Sequence, residues 1–211
     1  MTIEMNRVAM RLTPVEHCSG VSFTASPGDI VGIVGGSESA RSALLLALVG
    51  LRPVERGWVS IDGEPLLPQT AAYYRRFISY VPRSLDFGKA TVGDIVGECL
   101  RLSVNAGRTV SGRDVEEDLR LLSLPDGVMD KPFAVLSRGD VQRVAIAMAG
   151  AFGRPLLVLD DPSSLQDDEG RLALMSYLCS AKMRQVSVVV STADQAILSV
   201  CNRKIKLNVK E

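Results

Sequence analysis

A candidate phosphate-binding loop is the feature that most constrains this chain. The β-branched run at residues 30–34 is followed by a Gly/Ser-rich turn at 35–42 and then by helix-forming residues up to Val49. This order of strand, turn and helix points backbone N–H groups and the positive end of a helix at an anion. The strict pattern G-x-x-x-x-G-K-[ST] fails, because Ala40 stands at the last glycine and Arg41 at the lysine. Two interpretations stay open at this point, an altered phosphate loop or an ordinary strand-to-helix turn.

Composition limits the classes of function. The 211 residues, 46% of them hydrophobic, suffice for one sizeable α/β domain. Lys and Arg number 24, as do Asp and Glu, so net charge does not indicate a nucleic-acid or membrane surface. No apolar run reaches the roughly 20 residues of a spanning helix. We therefore expect no nucleic-acid partner, and we expect any membrane association to go through another protein.

Strands alternate with helices along the chain, which predicts a mainly parallel sheet. Strands are predicted at residues 8–12, 21–25, 30–34, 57–61, 78–81, 156–159, 186–190 and 203–209, and short helices at 71–76 and 171–180. The Asp62-Gly63 pair after the fourth strand is typical of a hairpin turn and predicts an antiparallel layer. Thr91 with Asp94, and Ser111 with Asp114, form capping-box patterns. The interval from about 84 to 150 is therefore predicted to be a helical insertion.

Two further stretches carry polar groups suited to phosphate chemistry. Residues 136–140, Leu-Ser-Arg-Gly-Asp, open a helix, where Ser137 presents a hydroxyl and Gly139 an uncrowded N–H at the positive helix end. Residues 156–162 form a buried strand that ends in two carboxylates. At such a position Asp160 can hold magnesium, and Asp161 can orient or deprotonate a water molecule.

These blocks, taken in order, resemble the nucleotide-binding domain of ATP-binding cassette (ABC) transporters over nearly the whole chain. The family pattern is a phosphate loop, a glutamine at a strand end, a signature helix that opens with L-S-G-G-Q, a strand that closes in D-E-P, and a switch histidine. The corresponding positions here are residues 35–42, Arg83, residues 136–140, residues 156–162 and Ala193.

The resemblance implies an α/β P-loop NTPase fold of ABC type. A mainly parallel sheet core would be joined by an antiparallel β subdomain and an inserted helical subdomain, all within a single domain over residues 1–211. Residues 1–83 and 151–211 would form the β and RecA-like core, and residues from about 84 to 150 would form the helical subdomain with the signature.

The resemblance also assigns roles to single residues. The positions that would contact nucleotide are Gly35, Gly36, Ser37, Glu38, Ser39, Ala40, Arg41, Ser42, Ala43 and Arg83. The signature positions are Leu136, Ser137, Arg138, Gly139 and Asp140. Ser42 and Asp160 would hold Mg²⁺, and Asp161 and Ala193 take the places of the catalytic glutamate and the switch histidine. The implied cofactors are ATP and Mg²⁺, and we expect both to bind weakly.

Most departures from the family pattern fall on residues that act on the terminal phosphate. Arg41 keeps the charge of lysine but is larger and planar. Glu38 and Ala40 replace glycines, so a carboxylate and a methyl group are expected to crowd the loop. If Glu38 points inward, it repels ATP by roughly 1–4 kcal/mol. Asp161 is shorter than glutamate, and Ala193 has no imidazole. We therefore expect slow turnover in the site that this chain provides.

By contrast, the signature is only lightly altered, since Ser137 and Gly139 are kept. In family dimers the domains pack head to tail, and each ATP lies between one subunit's phosphate loop and the other's signature. The resemblance thus implies a degenerate subunit that lends its signature to a competent second nucleotide-binding subunit, with a homodimer left open. It also implies membrane-spanning permease subunits, which would hold the chain peripherally on the cytoplasmic face of the membrane.

Three other functions stay open. The first is a pseudo-ATPase scaffold or regulatory subunit that binds no nucleotide, which an ATP titration separates from a nucleotide-binding subunit. The second is a soluble ABC protein of repair or translation, although such proteins normally show tandem cassettes, a coiled-coil insertion or basic surfaces. The third is a P-loop kinase, which is less consistent with the helical insertion and residues 136–140.

Overall fold

A computed structural model describes residues 1–210. Within that range the strands are β1 Ile3–Arg11, β2 His17–Ala25, β3 Ile30–Val34, β4 Arg56–Ile61, β5 Glu64–Pro65, β6 Ile78–Val81, β7 Leu156–Asp160, β8 Ser187–Ser191, β9 Arg203–Lys206 and β10 Val209–Lys210. The α-helices of the same range are α1 Glu38–Leu48, α2 Pro68–Tyr74, α3 Val92–Arg101, α4 Gly112–Leu121, α5 Arg138–Ala151, α6 Asp168–Leu178 and α7 Gln195–Val200. None of these helices is long and apolar enough to cross a membrane.

Five strands form a parallel sheet in the order β6-β7-β8-β3-β9. β7 and β8 are buried along their whole length, which accounts for their unbroken runs of Val and Leu. Because β3, β7 and β8 run in the same direction, the residues that follow them meet at one edge of the sheet. This edge brings together the loop at 35–42, Asp160, Asp161 and Ala193. The predicted parallel core is confirmed.

The other five strands form an antiparallel sheet in the order β10-β2-β1-β4-β5. Buried residues along β1, such as Ile3 and Met5, pack in one cluster with Leu44 of α1. The predicted turn between β4 and β5 is confirmed, since Asp62 and Gly63 have positive φ angles of 49° and 86°. A two-residue hairpin of this type requires positive φ at both positions.

The helices α3, α4 and α5 lie between β6 and β7 in the chain. The two predicted capping boxes are confirmed. The Thr91 hydroxyl accepts the N–H of Asp94 at 3.1 Å, and the Ser111 hydroxyl donates to the Asp114 carboxylate at 2.7 Å. Each box satisfies backbone N–H groups that the first turn of a helix leaves without a partner.

A buried carboxylate fixes α4 against α6. Asp118 of α4 is 1% exposed and accepts hydrogen bonds from the Tyr177 hydroxyl at 2.9 Å and the Lys182 ammonium at 2.6 Å. Burial raises the pKa of Asp118, and the ammonium of Lys182 opposes that rise. A side chain at Gly150 would place its Cβ only 1.7 Å from the Tyr177 hydroxyl, so glycine is required where α5 crosses this contact.

Several predicted boundaries are wrong. β1 and β2 begin at Ile3 and His17, earlier than predicted, and α7 has no counterpart among the predicted helices. The single closing strand predicted at 203–209 is two strands, β9 beside β3 and β10 beside β2. The chain passes from one sheet to the other at Leu207, which is buried and whose N–H donates to the carbonyl of Val34 at 2.6 Å.

The two remaining helix boundaries are shifted toward the N-terminus. α2 begins at Pro68, a residue suited to the first turn of a helix, and gives way to a 3₁₀ turn at Arg75–Phe77. α6 begins at Asp168, because the Asp167 carboxylate caps it by accepting the N–H of Gly170 at 2.8 Å.

Candidate functional site

The predicted turn at 35–42 is shorter in the structure, because α1 begins at Glu38 and only residues 35–37 connect it to β3. Gly35 and Gly36 have positive φ angles of 83° and 65°, and a Cβ at Gly35 would lie 2.9 Å from the carbonyl oxygen of Leu207. Ser37 is the N-cap of α1, and its hydroxyl accepts the N–H of Ala40 at 3.1 Å. The loop therefore leads from β3 into the positive end of α1, which favours an anion.

A carboxylate that the sequence patterns do not reveal already lies on this loop. Glu16, between β1 and β2, accepts the N–H of Ser37 at 3.0 Å and the Ser37 hydroxyl. Thr13 donates a further hydrogen bond to Glu16 at 3.2 Å. The hydrogen bonds from Ser37 lower the pKa of Glu16, so this carboxylate is ionised at neutral pH. A phosphate group at Ser37 has to displace it.

Two of the altered residues are buried. Arg41 is only 5% exposed, and its guanidinium donates to the carbonyl of Gly36 at 3.0 Å, while its Nε has no hydrogen-bond partner within residues 1–210. Ala40 is fully buried in the core cluster that contains α1. The prediction that its methyl group crowds the loop is wrong, because that group packs into the protein interior.

Glu38 does not stand as an isolated negative charge. Its carboxylate forms an ion pair with Arg83, and the Nε of Arg83 lies 3.4 Å from the Asp161 carboxylate. Arg83 thus links the phosphate loop to the end of β7. Both Glu38 and Arg83 line an open cavity of about 710 Å³. Its lining residues are Leu12, Thr13, Pro14, Val15, Glu16, Ser37, Glu38, Ser39, Ser42, Ala43, Leu46, Arg52 and Arg83.

The two carboxylates after β7 differ in their surroundings. Asp160 is buried and accepts hydrogen bonds from the Ser191 hydroxyl at 2.8 Å and the Tyr80 hydroxyl at 3.3 Å. Burial and the adjacent Asp160 raise the pKa of Tyr80, which keeps that hydroxyl protonated as a donor. Asp161 has a φ angle of 50°, and burial raises the pKa of Asp161 while Arg83 opposes the rise. Its carboxylate is held by Arg83.

The residue at the switch position is exposed and has no polar side-chain group. Ala193 follows β8, and its neighbours are engaged elsewhere: the Thr192 hydroxyl contacts the Ser163 hydroxyl at 3.1 Å, and Asp194 pairs with Arg171 at 2.9 Å. No group at position 193 can bind a terminal phosphate or support an attacking water molecule.

Ser42 and Asp160, the residues predicted to hold Mg²⁺, do not present a donor set that fits a divalent cation. Both carboxylate oxygens of Asp160 already accept hydrogen bonds. The guanidinium of Arg83 lies between Glu38 and Asp161, and Arg83 lines the same cavity as Ser42. Mg²⁺ binding requires octahedral oxygen ligands and water, and a neighbouring positive charge opposes it.

The signature residues begin α5. Ser137 is its N-cap: the hydroxyl accepts the N–H of Asp140 at 3.0 Å and donates to the Asp140 carboxylate at 2.8 Å. Asp140 also pairs with Arg143 at 2.5 Å. Burial opposes ionisation of Asp140, but the contacts with Ser137 and Arg143 outweigh it and lower the pKa of Asp140. Leu136 is half-buried, whereas Ser137 and Arg138 are exposed at the helix end.

Gly139 packs closely against the segment that follows β7. It is buried, and a Cβ there would lie 2.7 Å from the carbonyl oxygen of Leu165 and 3.2 Å from Gln166. Gln166 also donates to the carbonyl of Gly139 at 3.2 Å. Glycine is therefore needed for close packing between α5 and the segment that follows β7.

A family model described as ABC transporter matches residues 18–164. The type I secretion system ATP-binding protein PrsD of Rhizobium meliloti is 30% identical over 187 residues, covering 86% of this chain and 32% of the relative. The energy-coupling factor transporter ATP-binding protein EcfA1 of Lactiplantibacillus plantarum is 32% identical over 191 residues, covering 89% of this chain and 67% of the relative. The chain thus spans about a third of the first relative and about two thirds of the second.

The fold is shared with a solved dimeric structure of MJ0796, described as a bacterial ABC transporter cassette. The TM-score is 0.80 at 24% sequence identity, and the alignment covers 99% of this chain and 98% of that one. This likeness extends the match beyond residues 18–164 and concerns the fold alone.

Proposed function

The chain belongs to the ABC transporter family as a nucleotide-binding domain, and from this premise we propose that it is a degenerate subunit paired with a competent one. Subunits of this family bind ATP with Mg²⁺, dimerise and pair with membrane permeases. In the proposed assembly, ATP binding and hydrolysis are coupled to permease subunits, which hold this chain on the cytoplasmic face of the membrane. Its own site hydrolyses ATP slowly.

The observation that carries this proposal is the position of Arg83. Its guanidinium joins Glu38 of the phosphate loop to Asp161 after β7. In the family, the space between these two elements serves the terminal phosphate and the attacking water. A carboxylate that is held by an arginine is poorly placed to activate water, and errors of about 1 Å cost around a hundredfold in rate.

The signature end of α5 supports the other half of the proposal. Ser137 is exposed, and it caps the helix in the geometry that an intact N-terminus requires. None of residues 136–140 is among those that line the phosphate-loop cavity within residues 1–210. In a head-to-tail pair, this helix end would serve the ATP on the partner's phosphate loop.

We expect Arg41→Ala to weaken ATP binding about tenfold or more, and Arg41→Lys to keep or improve it. The reason is that Arg41 supplies positive charge beneath the loop, while its planar guanidinium is engaged with Gly36 and a compact ammonium is freer to meet phosphate. Calorimetric titration of the purified chain with ATP measures this. Arg113→Ala is the control, because Arg113 is exposed on α4 outside the cavity. Equal affinities for Arg41→Ala and the unmutated chain would contradict the prediction.

A second candidate function is a scaffold that binds no nucleotide. The contact of Glu16 with Ser37 favours it, because a carboxylate already occupies donors of the phosphate loop. The same titration separates the two functions. Absence of ATP binding by the unmutated chain at millimolar concentration would support the scaffold, whereas saturable binding would support a nucleotide-binding subunit.

A further inference from the structure

We propose that Arg83 takes the place of the divalent cation, so that this site binds a nucleoside triphosphate without Mg²⁺. The inference rests on the proposed function, because it requires that the phosphate loop binds nucleotide. It goes beyond that function in two respects. It names Arg83 as the group that neutralises the charge of the triphosphate, and it identifies the ligand as nucleotide without Mg²⁺.

The first argument is that the positive charge is already present. Arg83 contacts one carboxylate of the phosphate loop, Glu38, and one carboxylate after β7, Asp161. In a metal-dependent site, a divalent cation has to connect the same two elements through phosphate oxygens. A guanidinium carries this charge permanently and can donate two parallel hydrogen bonds to a phosphate.

The second argument concerns the surroundings of Asp160 and Ser42, the two predicted metal ligands. Asp160 is 3% exposed, and its two oxygens accept hydrogen bonds from Ser191 and Tyr80. A cation beside Ser42 would also lie in the cavity that Arg83 lines, where the like charges repel each other.

The third argument is that Arg83 is free to turn toward a ligand. Its side chain is 40% exposed, and that of its partner Glu38 is 50% exposed. Ion pairs exposed to this degree contribute little to stability, so a triphosphate can replace Glu38 as the partner of Arg83 at small cost. The contact with Asp161 orients the guanidinium toward the end of β7.

The test is a calorimetric titration of the purified chain with ATP, in EDTA and in excess Mg²⁺. The unmutated chain should bind ATP at least as tightly in EDTA as in Mg²⁺. Arg83→Gln, which restores the family's residue, should weaken metal-free binding by about 10-fold to 100-fold, the effect of losing a charge-assisted contact. It should also make binding tighter in Mg²⁺ than in EDTA. Arg83→Lys keeps the charge but not the paired hydrogen bonds, so it should weaken metal-free binding less than Arg83→Gln does. Arg113→Gln should change neither the affinity in EDTA nor the affinity in Mg²⁺.

Two results would overturn the proposal: a requirement for Mg²⁺ in the unmutated chain, or unchanged metal-free affinity in Arg83→Gln. Thermal unfolding of each variant confirms that it is folded, which is expected because Arg83 is partly exposed. Failure to bind ATP in either buffer would also overturn this proposal. That failure would favour the scaffold over a nucleotide-binding subunit, whereas either of the first two results would leave the proposed function standing.

Discussion

Ser137→Asp is expected to lower steady-state ATP hydrolysis by the reconstituted complex of this chain, its partner subunit and the permease by about 10²–10³-fold. Aspartate is as good an N-cap as serine, but it replaces the hydroxyl that donates to Asp140 with a second carboxylate beside Asp140. The change also adds negative charge where the partner's terminal phosphate would lie. Loss of one preorganised donor typically costs about 10²–10³ in rate.

The chain provides a matched control for this variant. Ser111 caps α4 through a capping box with Asp114 that has the same pattern as that of Ser137 with Asp140. Ser111→Asp makes the same chemical change at a helix start away from the proposed interface, and activity should stay within about twofold. Arg41→Ala, in the chain's own site, should lower complex activity only a few-fold. Similar losses from Ser137→Asp and Arg41→Ala would contradict the asymmetry.

Gly139 is unsuitable for this test, although the sequence makes it the obvious choice. A Cβ there would lie 2.7 Å from the carbonyl oxygen of Leu165, so a bulky residue would displace the segment after β7. Loss of ATP hydrolysis in such a variant could then result from the displaced segment or from a blocked partner site, and the assay would not distinguish the two. Ser137 is exposed and does not have this defect.

Restoring only the two catalytic positions is expected to leave the partner-free chain slow. Asp161→Glu with Ala193→His supplies a longer carboxylate and an imidazole, but Arg83 and Glu38 still bridge the site. Adding Glu38→Gly and Arg83→Gln removes this bridge. The variant with all four substitutions should hydrolyse ATP about 10² times faster than the variant with two. That factor is typical of a correctly positioned general acid or base. Phosphate release by the purified chain measures both.

Two outcomes would contradict this second prediction. One is fast hydrolysis by the unmutated, partner-free chain, and the other is full activity in the double variant. The second outcome would show that the bridge formed by Arg83 does not obstruct catalysis. Loss of the exposed ion pair is expected to lower the free energy of unfolding by less than about 1 kcal/mol, and glycine in the first turn of α1 by about 1 kcal/mol more.

The sequence predicted the fold, because alternating strand and helix patterns indicate a mainly parallel sheet and the motifs follow one another in the family's order. The structure adds that the motifs meet at one edge of that sheet, where the carboxyl ends of parallel strands converge. β3 spans the predicted residues 30–34, and β7 ends at Asp160, one residue beyond the predicted 156–159. The roles of the single residues remain predictions.

Side-chain pairing was not predictable. Arg83 lies 45 residues from Glu38 in the chain, and Glu16 lies 21 residues from Ser37. Local spacing carries no information about contacts between segments so far apart. A single sequence likewise gave no sign that Gly139 packs on Leu165, since a glycine at a helix start is equally consistent with an open N–H. These contacts depend on how the elements pack.

The most direct test of the central claim is a count of products in one turnover of the reconstituted complex. The complex is loaded with radiolabelled ATP, hydrolysis is started and then quenched, and the bound ADP and ATP are counted. If this chain lends its signature to a competent partner and its own site is slow, one ADP forms per complex, and any nucleotide in the second site remains ATP. Two ADP per complex, formed at equal rates, would contradict the account.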